Sequence, residues 1–290
     1  MPDDVPGPRF RRIDAPTPPR VVFFVGCRNV KITGVTMVNQ PSGWSYWVSD
    51  CEDVFFDRLK IEAEVQYPNN DGIHINCSKN VFVSNCNIVC GDDCIVIRAN
   101  NYSLPENKVC ERVTVTNCTL TSYSGCIRIG WLCDGTIRNC TFSNLVMTDA
   151  SCGVSILIPD FCDPRIPDQG RESTLIENLN FSDIVMDGVY GNPIYVEVFD
   201  KKPAPCTGIQ SLYFNNVHSR GLEFPFLAGR TDCQLKNIYF NNCTFEKVNK
   251  KYLPDREKHG FACGNLCTDF PIRYAENVVL NNTSFTTREQ

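Results

Sequence analysis

The chain of 290 residues has no basic stripe, no apolar run of membrane-spanning length and no sustained helical periodicity. With 28 Lys and Arg against 33 Asp and Glu, its net charge of −5 offers no electrostatic footprint for nucleic acid. Without a long apolar run, no membrane partner is expected. Without helical segments to cover strands, an α/β sheet is excluded. The start, Met1-Pro2-Asp3-Asp4-Val5-Pro6, lacks the basic and apolar regions of a signal peptide. A cytoplasmic protein is therefore expected, or a secreted one whose leader is missing from this sequence.

Cysteine, by contrast, is abundant, with 18 copies. A disulfide framework serves chains too short to build a core, whereas 42% of this chain is hydrophobic. Cys77, Cys86, Cys118, Cys140 and Cys243 recur in Asn-Cys or Cys-Ser steps beside strand residues, as small buried side chains do. Reduced, buried thiols are the expectation. His259, Cys263 and Cys267 form a local trio with no fourth partner, so neither a metal nor a cofactor is expected.

A degenerate unit runs along the chain. It reads Arg28-Asn29-Val30-Lys31-Ile32, Glu52-Asp53-Val54-Phe55-Phe56, Lys79-Asn80-Val81-Phe82-Val83 and Glu111-Arg112-Val113-Thr114-Val115, with later copies from Gly135, Glu177, Gln210, Lys236 and Glu276. Short β-branched strands, Asn-rich turns and a period in the twenties indicate a solenoid with strands in every coil. The leucine-and-asparagine signature of leucine-rich repeats is missing. The expected fold is all-β, a single-stranded right-handed parallel β-helix over residues 19–290, after an N-terminal extension or truncated start at 1–18. Its first coil is expected to be exposed.

Stacking has a chemical consequence, because equivalent positions on successive coils lie about 4.8 Å apart. Aligning Gly72-Ile73-His74-Ile75, Cys94-Ile95-Val96-Ile97, Cys126-Ile127-Arg128-Ile129 and Gly153-Val154-Ser155-Ile156 turns the aliphatic first and third columns inward. His74, Val96, Arg128 and Ser155 then form an outward column. Asp71 precedes Asp92 and Asp93 by 21 and 22 residues, one coil, so three carboxylates meet at the edge of that column. Such a trio is suited to general acid and base chemistry, although aspartates at strand starts also simply bond turn amides.

Asn69-Asn70-Asp71-Gly72 and Gly91-Asp92-Asp93-Cys94 resemble the motifs of glycoside hydrolase family 28, the polygalacturonases and their relatives. The resemblance runs from about Pro19 to the C-terminus. It implies inverting hydrolysis of a pectin-type or related plant oligo- or polysaccharide, with Asp92 as general acid and Asp71 and Asp93 activating water. Inverting pairs commonly stand roughly 6.5–9.5 Å apart. Two departures stand out. The family's Gly-His-Gly falls on Tyr123-Ser124-Gly125, and its Arg-Ile-Lys falls on Ser155-Ile156-Leu157.

Candidate substrate contacts are Arg128, His74, Arg98, Asn69 and Ser124. Arg128 would replace the lost arginine from one coil earlier, or would neutralise the acidic cluster. Arg98 could equally partner the aspartates, and His74 could be a plain surface residue. Trp44, Tyr46 and Trp47 are expected in the core rather than as a sugar platform. Loops 99–109 and 159–174 are expected to wall the groove. The rival functions are a calcium-dependent polysaccharide lyase and a carbohydrate-binding β-helix whose catalysis has decayed.

Overall fold

A computed structural model describes residues 20–40, 43–65, 67, 69–132, 134–160, 173–249, 251, 253 and 270–288. The chain winds as a right-handed parallel β-helix, as its repeats require. Every strand pairing within its sheets is parallel, each strand lying beside the equivalent strand of the next coil. Among the described residues, one sheet has nine strands, including Trp44–Ser49, Ile73–Asn76, Ile95–Arg98, Gly125–Ile129, Cys152–Ile158 and Ile194–Val198. The other has 14 described strands and includes the long strands Cys110–Ser122, Thr136–Thr148, Thr174–Val189 and Cys206–Gly221.

The register follows the alignment of the sequence. Ile95 pairs with Ile73 and Ile127, and Val96 with His74 and Arg128; Arg128 in turn pairs with Ser155. The isoleucines of both inward columns are fully buried. On the larger sheet, Phe142, Phe181, Phe214 and Phe240 stack face to face with centroids 4.8, 4.9 and 4.9 Å apart. That separation is one strand spacing, so ring stacking and backbone hydrogen bonding reinforce each other. In the first coil the inward Val22, Phe24, Val30 and Ile32 are only half-buried.

The turns explain the asparagines. Asn80, Asn85, Asn117, Asn139 and Asn178 have φ of 54–57°, the left-handed region that Asn tolerates better than other side-chain-bearing residues. Their side chains bond up the stack: the Asn85 amide donates to Asp57 (2.8 Å) and that of Asn178 to Asn139 (2.7 Å). Asn85, Asn117 and Asn139 are each followed by a buried cysteine, which donates its thiol to the carbonyl two residues back, as Cys118 does to Thr116 (3.2 Å) and Cys140 to Arg138 (3.3 Å).

The expectation of reduced thiols fails at one pair. Cys206 and Cys233 form a disulfide. Neither belongs to an Asn-Cys step, and their Cα atoms are 5.9 Å apart, within bonding reach. His259, Cys263 and Cys267 lie outside the described residues.

Truncating the centre of the ring stack should be costly. Phe181→Ala is expected to destabilise the chain by about 3–5 kcal/mol, read as a lowered urea midpoint. A loss under about 1 kcal/mol would mean that the stack contributes little.

Candidate active site

Asp71, Asp92 and Asp93 occupy the turns that lead into Ile73–Asn76 and Ile95–Arg98, and one oxygen from each lies within 4.8 Å of the others. Asn70, fully buried, fixes the two turns together. Its side-chain oxygen accepts from the amides of Gly91 (2.7 Å) and Asp92 (3.2 Å), and its amide donates to the Glu64 carbonyl (2.6 Å). Asn69 donates from backbone and side chain to the Asp92 carboxylate (3.1 and 3.3 Å). This neck of short polar bonds sets the trio's geometry before any ligand arrives.

Asp93 is the most heavily supported. Its Oδ1 accepts from the Ser124 hydroxyl (3.1 Å) and the Gly125 amide (3.0 Å), and its Oδ2 is ion-paired with Arg128 Nε (2.8 Å). A Cβ on Gly125 would stand 2.9 Å from Asp93 Oδ1, so glycine is needed there for the carboxylate to approach. Burial and Asp92 nonetheless outweigh these stabilising partners and push Asp93 up to about 6. Unfolded, the same group titrates near 3.8. Its contribution to stability is therefore fully present below about 3.8 and is lost as pH rises through about 6.

Asp71 is driven further. Burial first, then the Asp92 and Asp93 charges, raise its carboxyl well above the usual range. Its Oδ2 lies 2.8 Å from His74 Nε2, and its Oδ1 is buried without a hydrogen-bond partner among the described residues. His74 is itself buried, and burial followed by the charges of Arg98, Arg20 and Arg128 holds its pKa well below 6.5. A neutral imidazole thus faces a protonated carboxyl. Trp44 covers the pair, its ring centroid 3.5 Å from that of His74 and nearly parallel, and the Arg20 guanidinium lies 3.3 Å from the Trp44 ring centroid.

The trio lines a cavity of about 250 Å³ together with Trp44, Asn69, His74, Val96, Arg98, Arg128 and Trp131. Of the sequence candidates, Asn69, His74, Arg98 and Arg128 all reach it. Three readings need correction. Ser124 is fully buried and bonded to Asp93, so it positions that carboxylate rather than meeting a ligand. Arg98 does not partner the trio; its Nε lies 3.0 and 2.7 Å from the oxygens of the buried Asp134, and its Nη2 donates to the Leu132 carbonyl. Tyr46 is core as expected, but Trp44 and Trp47 face the groove, because strand alternation turns Tyr46 inward and its neighbours outward.

Sequence reasoning missed Trp131, over which the Arg128 guanidinium sits at 4.6 Å, and Asp134. Both lie in the turn after Gly125–Ile129, outside the strand pattern that located the rest. At the other two positions where the resemblance places cations, Ser155 is buried and donates to the Ile127 carbonyl, and Leu157 packs with Tyr195 and Phe226. Tyr102, Ser103 and Leu104 of loop 99–109 wall a neighbouring cavity. Residues 161–172 of the second loop lie outside the described residues.

The profile of the glycosyl hydrolases family 28 matches residues 10–252. The chain belongs to that family. An exopolygalacturonase of Arabidopsis thaliana is 25% identical to this family 28 chain over 232 residues, 71% of it and 52% of the relative. The chain spans about half the length of the curated relatives it matches. Its fold is shared with a Yersinia enterocolitica family 28 exopolygalacturonase (TM-score 0.68, 17% identity, 91% of this chain and 43% of that one). It is shared too with a Thermotoga maritima exopolygalacturonase (TM-score 0.66, 21% identity, 90% and 55%). The overlay places the family 28 coils along nearly all of this chain.

Arg128 is the main counterweight to the buried charge. Arg128→Ala is expected to move the Asp93 titration upward from about 6, by about one to three on the pH scale. Carboxyl ¹³C NMR would follow it; an unmoved titration would remove Arg128 from the electrostatics of the trio.

Proposed function

We propose that this family 28 chain hydrolyses glycosidic bonds of a pectin-type polysaccharide or its fragments, through Asp71, Asp92 and Asp93. The observation that carries the reading is the convergence of three carboxylates within 4.8 Å on adjacent coils, at the floor of a cavity open to a ligand. Family membership supports it, and so does the polygalacturonase relative. A pectin-type sugar chain is then the partner.

Three close carboxylates share their protons as one coupled system. In the empty site, burial leaves the most tightly held proton on Asp71 and the next on Asp93. Asp92, half-buried and held by Asn69, is the trio member best placed to meet a glycosidic oxygen. In this reading Asp92 donates the proton to that oxygen, within 4.8 Å of the oxygens of its two partners. Asp93, once ionised, is the base that draws a proton from the attacking water. Neutral His74 keeps Asp71 oriented while adding no positive charge that would strip its proton.

The separation of nearest oxygens is shorter than the roughly 6.5–9.5 Å usual between inverting carboxyl groups. Stereochemistry is therefore the informative test. Proton NMR of the first product from pectic oligosaccharides is expected to show an inverted anomeric centre. Retention would replace direct displacement by a glycosyl-enzyme route; no turnover across a pectic panel would remove the hydrolase reading.

Asp71→Asn mimics the protonated carboxyl. It is expected to leave the melting temperature at pH 7 unchanged or higher, while lowering kcat by about 10²–10⁴-fold. A protein that melts much earlier would make Asp71 chiefly structural.

A further inference from the structure

The two ends of the solenoid present equivalent strands. Arg20–Val25, Arg28–Thr33 and Thr36–Gln40 form the first coil, and Ile272–Arg273, Ala275–Asn281 and Ser284–Arg288 form the last. Each pairs with the coil on its inner side and, among the described residues, with no strand on its outer side. Open parallel edges of this kind are templates for a further strand. The inward columns are unfinished too. Ile272 and Leu280 are exposed at one end, while Phe24 and Ile32, which begin the same two columns, are only half-buried at the other.

Two polar columns indicate what would continue them. In the first, charge alternates from coil to coil: Arg28, Glu52, Lys79 and Glu111 open it, Lys236 and Glu276 close it, and like charges are nowhere neighbours. Lys79 meets Glu52 at 3.0 Å, and Lys236 meets Glu276 at 3.7 Å. The column starts on a cation, Arg28, and stops on an anion, Glu276, whose side chains are 73% and 66% exposed. The second column, one residue further along each coil, has a direction. Asn80 donates to Asp53 (2.8 Å), Asn178 to Asn139 (2.7 Å) and Asn277 to Asn237 (2.7 Å), always from the later coil to the earlier one. It begins with the donor amide of Asn29 and ends with the acceptor oxygen of Asn277, both exposed and both at φ 56°.

A cation and an amide donor at one end thus match an anion and an amide acceptor at the other. We propose that the N-terminal end of this chain docks on the C-terminal end of a second copy, head to tail, so that the parallel ladder continues across the junction. Arg28 of the second copy then meets Glu276 of the first, Asn29 donates to Asn277, and Ile32 covers Leu280. Because the two faces differ, the contact is heterologous, and every addition leaves one end of each kind open. Association therefore proceeds beyond the dimer as concentration rises.

Sedimentation velocity of the full chain over a wide range of concentration tests this. The wild-type chain is expected to grow from monomer through dimer to longer species. Arg28→Glu sets carboxylate against carboxylate at the junction, and Glu276→Arg sets guanidinium against guanidinium. Each should weaken association at least about fivefold. Both side chains are exposed, so neither change should move the melting temperature. An equal mixture of the two variants should recover the association, since every N-terminal end then finds a complementary C-terminal end. A chain that stays monomeric, association indifferent to both reversals, or a mixture no stronger than either variant would overturn the head-to-tail contact. So would association that appears only when residues 1–19 are removed, which would make that segment the occupant of the N-terminal end.

Discussion

Every feature of this protein depends on the in-register stacking of its coils at one strand spacing. The parallel ladder fixes the rise between equivalent residues, and each column of side chains inherits it. Phenylalanines in register stack within 5 Å of one another, and turn asparagines pass hydrogen bonds from coil to coil. The same spacing brings Asp71 to Asp92 and Asp93. A one-residue slip would turn each inward isoleucine outward and carry the outward column, Arg128 included, into the core.

Holding three carboxylates in so small a volume opposes folding, and the surroundings are arranged to offset it. Arg128, Ser124 and the Gly125 amide support Asp93, while Asn69 supports Asp92. Asp71 receives least, and burial keeps it protonated. Trp44, itself in contact with the Arg20 guanidinium, stacks on His74 beside Asp71. The proposed chemistry draws on this arrangement, since a site that keeps protons near neutral pH can donate and recover them.

The charged residues of the groove are spread over adjacent coils. The cavity at the trio combines three carboxylates with the guanidinium groups of Arg98 and Arg128, and its N-terminal neighbour shares Arg98 and adds Arg20. The coil on the other side holds Ser155 and Leu157 in buried, uncharged contacts. Outward residues of this kind can change by substitution without disturbing the inward columns.

Much of this was legible in the residues. The alternation of strands, the Asn-rich turns and the one-coil spacing of the aspartates determined the fold, the inward columns and the identity of the trio, because a solenoid converts sequence period directly into spatial register. Tertiary structure alone decided what lies in the turns and across coils. Arg98 finds Asp134 rather than the trio, Ser124 sits beneath Asp93, and Trp44 closes over His74. Those contacts depend on turn shape and side-chain reach, which no repeat encodes. Cys206 and Cys233 pair for the same reason: they lie outside the Asn-Cys step, in segments that only the wound chain brings within reach.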